Sequence, residues 1–182
     1  GTTDPIFFKA TAQAPDWYFY TWSSTANGDN VHNSNAEYNE TFTLTGTSSS
    51  PTQFIRHAVF KQYVYGTQNR TAEAVPTAWG EVSLDNSNWG PTASKTDGTF
   101  IKVKQEETIS LTYYARTKGT NTFFLGWYDG TDIATAKLKT EEPTYTHNYT
   151  PSSKDSNAPT QEQTLYALFG KRAVYKDHAT AQ

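Results

Sequence analysis

The stretch Thr122-Phe123-Phe124-Leu125-Gly126-Trp127-Tyr128-Asp129-Gly130 is an aromatic strand that runs into a turn. A second aromatic stretch, Trp17-Tyr18-Phe19-Tyr20-Thr21-Trp22-Ser23-Ser24, lies earlier in the chain and has similar spacing. Aromatic side chains favour pleated, half-buried surfaces, and an Asp-Gly pair favours a turn. The two stretches therefore predict β-strands that hold equivalent places in a repeated unit.

The similarity extends over three blocks in the same order. An offset of 105 residues places residues 6–22 on residues 111–127 without a gap, and offsets of 107 and 109 residues align two later blocks. The matches recur every second residue in the first strand, which is the spacing of one strand face. The matched pairs are Ile6 and Leu111, Phe8 and Tyr113, Ala10 and Ala115, Phe19 and Phe124, Trp22 and Trp127, Tyr38 and Tyr145, Ala58 and Ala167, and Phe60 and Phe169. This pattern predicts an internal duplication whose insertions fall in loops, where they cost little.

The duplication predicts two tandem β-rich modules. In chain order, the predicted parts are a first module (1–65), a polar connection (66–80), a second module (81–172) and a tail (173–182). The second module has upstream strands at 82–84 and 100–104 whose counterparts would precede Gly1, so the first module is expected to be incomplete at its amino-terminal side. Residues 133–142 are the one stretch where the pattern allows a short helix.

The composition predicts a mainly β protein with an aromatic core. Aromatic residues make up 15% of the 182 residues and charged residues 18%, so Tyr, Phe and Trp supply much of the apolar surface. Glycine, proline, asparagine and serine supply turn residues between the strands. The predicted core residues are Trp22, Phe60, Ala115, Phe124, Trp127 and Phe169.

Charge and cysteine content exclude several classes of function. The formal net charge is −3 with neither sign concentrated in a block, whereas a nucleic-acid-binding protein needs a basic surface for phosphate contacts. No stretch approaches the roughly 20 apolar residues of a membrane-spanning helix. The chain has no cysteine, which excludes disulfides, thiolate metal sites and cysteine nucleophiles. No secretory signal is recognised, and a signal removed by processing is compatible with this sequence.

The two ends of the second aligned unit resemble a known family. Phe124-x-Gly126-Trp127-Tyr128-Asp129, followed by Thr164-Leu165-Tyr166-Ala167-Leu168-Phe169, resembles the internalin-type B-repeat, also called the Listeria–Bacteroides repeat. The resemblance covers most of residues 81–170 and, more weakly, residues 6–62, where Thr21 replaces the glycine before the tryptophan.

The resemblance implies small β-grasp-like modules, arranged in tandem on secreted or surface-anchored bacterial proteins. Such modules act as stalks, spacers or adhesion units, and the family has no catalytic residues to carry over. We therefore expect an extracellular or cell-surface location. The expected partners are a host or bacterial surface protein, a glycan, and neighbouring repeats of the same chain.

Residues for catalysis or metal binding do not assemble into a motif. The four histidines, His32, His57, His147 and His178, occur singly, without the short spacing of metal ligands. Residues 27–30 and 129–132 offer oxygen ligands to calcium, but Asn-Gly and Asp-Gly pairs are more typical of turns. No serine elbow or phosphate-binding glycine loop is present. The sequence predicts a protein that is not an enzyme and has no cofactor or metal.

Three tryptophans lie outside the predicted core. Trp17, Trp79 and Trp89 could stack on sugar rings or anchor a protein partner. Alternatively, they cover the ends of modules too small to bury them. The first hypothesis is a stalk or adhesion region, and the alternative is a carbohydrate-binding module that uses these tryptophans.

Overall fold

The computed structural model describes residues 1–157 and 160–174, without the side chains of residues 96–101. This part of the chain forms β-strands and no helix, which confirms the mainly β prediction. The strands are β1 (Ile6–Lys9), β2 (Trp17–Ser23), β3 (Val31–Asn33), β4 (Glu37–Glu40), β5 (His57–Gln62), β6 (Val64–Val75), β7 (Gly80–Ser83), β8 (Thr92–Val103), β9 (Ile109–Thr117), β10 (Thr122–Tyr128), β11 (Leu138–Thr140), β12 (Thr144–Tyr149) and β13 (Thr160–Lys171).

The helix allowed by the sequence at 133–142 does not form. Asp132 instead closes a single turn, because its backbone carbonyl accepts the Ala136 N–H at 2.7 Å and its side chain accepts the Ala134 N–H at 3.0 Å. The chain then enters β11, which pairs with β10. Pairing with a neighbouring strand therefore overrides the weak helical preference of this short stretch.

The chain divides into two compact units. The first unit comprises Gly1–Val64 and Lys102–Gln105, and the second comprises Tyr65–Ile101 and the chain from Glu106 onward. In the first unit, the Lys102 ammonium donates to the Pro15 carbonyl at 2.6 Å. The first unit therefore contains a short segment that follows most of β8 in the sequence. The last eight residues of the predicted tail, 175–182, lie outside the described residues.

The prediction of a connection at 66–80 is wrong. Residues 64–75 form β6, which lies between β13 and β8 in a five-stranded sheet of order β11-β10-β13-β6-β8. β6 pairs in parallel with β13, with Ala72 opposite Leu165 and Ala74 opposite Ala167. The last part of the predicted connection contains Gly80, the first residue of β7. The second unit therefore begins before residue 81 and includes β6, a strand that lies outside the second module predicted from the sequence.

β6 looks polar in the sequence because its buried positions hold small or hydrogen-bonding side chains. Ala72 and Ala74 are 0% and 2% exposed, and Arg70 is 3% exposed. The Arg70 guanidinium donates to the Thr112 carbonyl at 2.8 Å and lies 5.1 Å from the centre of the Tyr113 ring. A buried charge with such partners avoids the cost of burying an unpaired one.

The core of the second unit contains residues from both of its sheets. The second sheet has the order β12-β9-β7. Trp127 and Tyr113 are 0% exposed, and their rings pack edge to face with centres 5.6 Å apart. The Trp127 indole N–H donates to the Pro143 carbonyl at 3.0 Å. Ala115 and Phe169 are also buried, whereas Phe124 is half-buried at the side of this core.

The first unit repeats part of this arrangement with a smaller core. Its sheets are β3-β2-β5 and the pair β1-β4. Trp22 is 6% exposed and packs edge to face on Phe8, with ring centres 5.4 Å apart. Its indole N–H donates to the Asn35 carbonyl at 3.1 Å. Phe60, which the sequence places in the core, is half-buried.

Strand pairing in the two units has the same register. Phe19 lies opposite Phe60 in the first unit, as Phe124 lies opposite Phe169 in the second. Each of these pairs is followed by a bulge on the aromatic strand. The other equivalent pairs are Ile6–Glu40 and Leu111–His147, Phe8–Tyr38 and Tyr113–Tyr145, Trp22–Ala58 and Trp127–Ala167, Trp22–Asn33 and Trp127–Thr140, and Ser23–Val31 and Tyr128–Leu138.

The bulge explains the glycine of the second unit and its replacement in the first. Gly126 has φ 149°, and a Cβ there would lie 2.9 Å from the Thr140 carbonyl oxygen. The equivalent residue, Thr21, places its hydroxyl 3.0 Å from the Asn33 carbonyl, to which it donates. A hydrogen bond therefore occupies in one unit the space that glycine leaves open in the other.

The first unit has fewer strands around its core. β5 lies at the edge of its sheet, whereas the equivalent strand β13 has β6 beside it. Accordingly, many of the large apolar side chains that are exposed in the described residues belong to the first unit. They are Ile6, Phe7, Trp17, Tyr20, Val31, Leu44, Phe54 and Ile55.

Candidate functional site

A groove lined by tryptophan occurs in each unit. We call them the Trp89 groove, in the second unit, and the Trp17 groove, in the first. Each has a volume of about 350 Å³. The lining of the Trp89 groove is Leu84, Asp85, Asn88, Trp89, Thr92, Ala93, Ser94 and Lys95. The lining of the Trp17 groove is Thr11, Ala12, Gln13, Ala14, Trp17 and Phe60.

A hydrogen-bonded turn shapes the Trp89 groove. The turn follows β7, and Asp85 accepts the backbone N–H groups of Ser87 at 2.9 Å and of Asn88 at 2.8 Å. The Asn88 side-chain amide donates to the same carboxylate at 2.6 Å, and the Ser83 hydroxyl donates at 2.9 Å. These hydrogen bonds, chiefly those from Asn88, hold the pKa of Asp85 well below its usual range. Asp85 is therefore a fixed carboxylate that orders the loop leading to Trp89.

Arginine lies against the Trp89 ring. The Arg116 guanidinium carbon is 4.3 Å from the centre of the ring, which is a cation–π distance. Glu81, opposite Arg116 in the β7–β9 ladder, holds the guanidinium with two contacts of 2.7 and 2.8 Å. The ring therefore contacts a cation that is paired with Glu81, and it also lines a groove with amide, hydroxyl and charged groups. This combination can stack against a flat apolar face and hydrogen-bond to polar substituents around it.

The Trp17 groove has a different chemistry. Its lining contains no charged side chain and combines two aromatic rings, those of Trp17 and Phe60, with residues 11–14. Trp17 is 43% exposed. An apolar groove with few hydrogen-bonding side chains suits an apolar segment better than a sugar, whose hydroxyl groups need partners.

Trp79 does not belong to either groove. Its side chain is partly buried and packs against the core of the second unit. Its backbone N–H donates to the Pro76 carbonyl at 3.1 Å, and its carbonyl accepts the Lys118 N–H at 2.9 Å. Trp79 therefore helps to dock the start of β7, which corrects its prediction as a stacking platform. Of the three predicted tryptophans, the structure places Trp17 and Trp89 in grooves.

A hydrogen-bonded group of ionisable side chains in the first unit joins β4 to Arg56, the residue before β5. Arg56 and Tyr38 both donate to the Glu40 carboxylate, from the guanidinium Nε and the phenol oxygen, each at 2.8 Å. The hydrogen bond from Arg56 lowers the pKa of Glu40, and burial raises the pKa of Tyr38. Arg56 also lies over the Phe42 ring at 5.1 Å. These contacts satisfy all three groups and bind the strands together.

Metal ligands are not clustered in the described part of the chain. Within residues 1–157 and 160–174, no three His, Asp or Glu side chains lie close enough to hold an ion. His147 lies on β12, where burial, followed by Lys139 and Arg70, lowers its pKa. His178 lies outside the described residues. Both loops considered for calcium use aspartate oxygens in local turns: Asp29 accepts from Asn27, and Asp129 accepts the Lys137 N–H at 2.7 Å.

Sequence reasoning identified the two groove tryptophans but missed most of their neighbours. Asp85 and Asn88 flank Trp89 within a turn-rich stretch, and that proximity was the available signal. Arg116 could have been found from its place on the outer face of β9. The pairing of Trp17 with Phe60 gave no local signal, because it arises from strand register.

No helix in the described residues has the length and apolar character needed to cross a membrane. Comparisons with protein-family models, with curated proteins and with solved structures find no match to this chain.

Proposed function

We propose that this chain is a non-enzymatic, internally duplicated region of a bacterial cell-surface or secreted protein, related to the B-repeat family, that acts as a stalk or adhesion module. The observation that carries the proposal is the shared register of the two units. Phe19–Phe60 and Phe124–Phe169 are equivalent pairs, and both are followed by a bulge. Such coincidence of register and bulge supports descent from one ancestral unit, since bulges behave as retained features of a fold.

The duplicated arrangement favours a structural or binding role. Each unit packs its aromatic side chains into its own core, around Trp22 in the first and Trp127 in the second. Repeated modules of this kind are stabilised by their own cores and by neighbouring repeats, and they lengthen a protein by addition of units. The proposed partners are surface proteins or glycans of a host or bacterium, together with neighbouring repeats.

Labelling of intact cells tests the proposed location. Antibodies raised against this chain are applied to cells of the organism that encodes it, before and after permeabilisation. We expect labelling of intact cells, and loss of that labelling after brief treatment with an external protease. The matched control is an antibody against a cytosolic protein, which should label permeabilised cells alone. Detection of the chain only after permeabilisation, with none in the culture medium, would contradict the proposal.

A second candidate function is carbohydrate binding in the Trp89 groove. The specific observation in its favour is the Trp89 ring, which lies 4.3 Å from the Arg116 guanidinium carbon and lines a groove with the polar side chains of Asp85 and Asn88. A pyranose ring offers a flat apolar face for stacking and hydroxyl groups for polar contacts. The Trp17 groove lacks this polar surround.

Glycan-array binding followed by titration tests the second candidate. A glycan that binds the native chain should bind Trp89→Ala at least tenfold more weakly, because stacking is lost. Trp17→Ala is the matched control, because Trp17 lines the apolar groove of the other unit. This variant should bind the glycan as tightly as the native chain does. Absence of binding across the array, or equal affinity for the native chain and Trp89→Ala, would exclude this function.

A further inference from the structure

The edge of β1 is the feature of the first unit that most clearly differs from its counterpart. In the second unit, β9 lies between β12 and β7, with strand neighbours on both sides. In the first unit, β1 pairs with β4, and among the described strands it has no second neighbour. An uncovered edge presents backbone N–H and C=O groups that can pair with a further strand.

The second unit shows what lies at the equivalent position. β7 pairs with β9 so that Gly80 is opposite Thr117. Gly80 also lies against the Phe169 ring, so closely that a Cβ on it would be 2.1 Å from that ring. The Trp79 carbonyl accepts the N–H of Lys118 at 2.9 Å. The segment 79–80 is therefore held by the end of β9 and by the ring of Phe169.

The counterparts of these holding residues line the Trp17 groove. By the offsets that align the two units, Thr117, Lys118 and Phe169 correspond to Ala12, Gln13 and Phe60. All three counterparts lie in the lining of the groove. Phe169 is buried beneath β7, whereas Phe60 is only half-buried. The Trp17 groove of the first unit therefore corresponds to the space that residues 79–80 fill in the second unit.

We propose that the Trp17 groove and the edge of β1 bind an extended partner segment with a Gly-acidic-apolar pattern, added as a strand in the way that β7 is added to β9. The segment carries a glycine above Phe60, because β7 passes Phe169 with Gly80. An apolar residue follows two positions later, next to Ala10, as Val82 lies opposite Ala115. Main-chain hydrogen bonds supply affinity in this mode of binding, and alternate side chains supply specificity.

Charge sets the residue between those two positions. In the second unit this residue is Glu81, which pairs with Arg116. The counterpart of Arg116 is Thr11, and Lys9 precedes Thr11 by two residues, so the two side chains point to the same face. The Lys9 side chain is 61% exposed and contacts Glu37 at 3.0 Å. On two adjacent strands, a long side chain can reach a residue that lies diagonally opposite it. An acidic residue at this position of the partner therefore complements Lys9.

The occupant differs from a second copy of this chain. Pairing of two β1 strands would bring Ile6–Lys9 over the groove, and that strand has no glycine to pass above Phe60. The β7 strand of a second copy is paired with its own β9. The chemistry of the groove therefore favours a partner strand with the Gly-acidic-apolar pattern.

Titration with a peptide tests the proposal on a protein of residues 1–182. The probe is Thr-Ala-Trp-Gly-Glu-Val-Ser-Leu, the sequence of residues 77–84, with blocked ends and a fluorescent label, and binding is followed by anisotropy. We expect saturable binding that is at least tenfold weaker for Trp17→Ala, and at least tenfold weaker for a peptide with valine in place of its glycine. Trp89→Ala is the matched control and should bind the peptide like the native chain.

Amide hydrogen exchange of the native chain, measured with and without the peptide, locates the bound peptide without any substitution. Addition of the peptide should slow exchange of the amides at residues 9–13 and leave residues 115–118 unchanged. Three results would overturn the proposal. The first is no binding up to about 1 mM peptide, a concentration that corresponds to a free energy of association of about −4 kcal/mol, and the second is binding that neither substitution weakens. The third is self-association of the native chain that Trp17→Ala abolishes, which would make a second copy the occupant. None of these results depends on where the protein resides in the cell.

Discussion

At the scale of single residues, one tryptophan in each unit determines the packing of its neighbours. Trp127 contacts Tyr113 and Phe124 through ring–ring packing, and Trp22 contacts Phe8 and Phe19 in the same way. Each indole N–H is satisfied by a backbone carbonyl, so the large ring is buried without an unpaired donor.

Trp127→Ala should therefore be among the most damaging substitutions in the chain. Removal of a fully buried aromatic side chain leaves a cavity and should lower the free energy of unfolding by about 3–5 kcal/mol. Urea denaturation followed by circular dichroism measures the loss. Trp17→Ala is the control, because Trp17 is exposed, and it should cost less than about 1 kcal/mol. A loss below about 1 kcal/mol for Trp127→Ala would show that its packing contributes little.

Glu40→Gln should destabilise the first unit in a pH-dependent way. The hydrogen bond from Arg56 lowers the pKa of Glu40 in the folded protein, so the charged carboxylate stabilises the fold above its unfolded pKa near 4.5. That contribution disappears as the pH falls through the lower, folded pKa. Loss of the charge-assisted contacts should cost about 1–2 kcal/mol at pH 7.

Thermal melts of native protein and Glu40→Gln at pH 7, 5 and 3 measure this dependence. The difference in melting temperature should persist from pH 7 to pH 5 and shrink towards pH 3. Glu37→Gln is a suitable control, because Glu37 is largely exposed and its contact with Lys9 is at the surface. A difference that stays constant across the three pH values would contradict the assignment.

At the scale of strands, the sequence predicts β2 and β10, whose large aromatic side chains mark them as buried. It does not predict β6, which is buried because it pairs with strands on both sides. The aromatic strands β2 and β10 were predictable, because their rings recur at strand spacing. β6 was not, since Ala72 and Ala74 are small, and since Arg70 is buried through contacts with Thr112 and Tyr113 that lie far away in sequence. The same limit applies to the Trp17 groove, which exists only through the register of β2 and β5.

Strand β7 offers a direct test of close packing. Gly80→Ala should lower the free energy of unfolding by about 1–3 kcal/mol, because its Cβ would overlap the buried Phe169 ring. Gly90→Ala is the matched control: its Cβ would lie 3.4 Å from its nearest neighbour, the Thr92 carbonyl oxygen. Chemical denaturation compares the two variants. Equal stability would show that β7 can shift away from β13 without cost.

At the scale of the whole molecule, the second unit should be separable only if β6 is kept. A fragment of residues 65–174 contains the five-stranded sheet, whereas a fragment of residues 81–174, close to the module predicted from sequence, lacks β6. Without β6, Leu165 and Ala167 lose their neighbours Ala72 and Ala74. We expect cooperative thermal unfolding of the longer fragment and none of the shorter one. Matching cooperative transitions in both fragments would contradict this expectation.

The bulges in β2 and β10 restrict how such a unit can change over time. Tyr20 and Leu125 are the extra residues between positions that pair across the ladder. Deleting either one would make the ladder regular and leave Trp22 or Trp127 opposite its partner, but it would remove the bend and added twist that the bulge gives the strand. Substitutions at these positions are tolerated, as the exchange of Leu125 for Tyr20 illustrates, and the two units differ in length only between their paired strands. Variation in the number of residues is therefore confined to the loops, and a lineage of these units can diverge widely in composition while its strands keep a constant count.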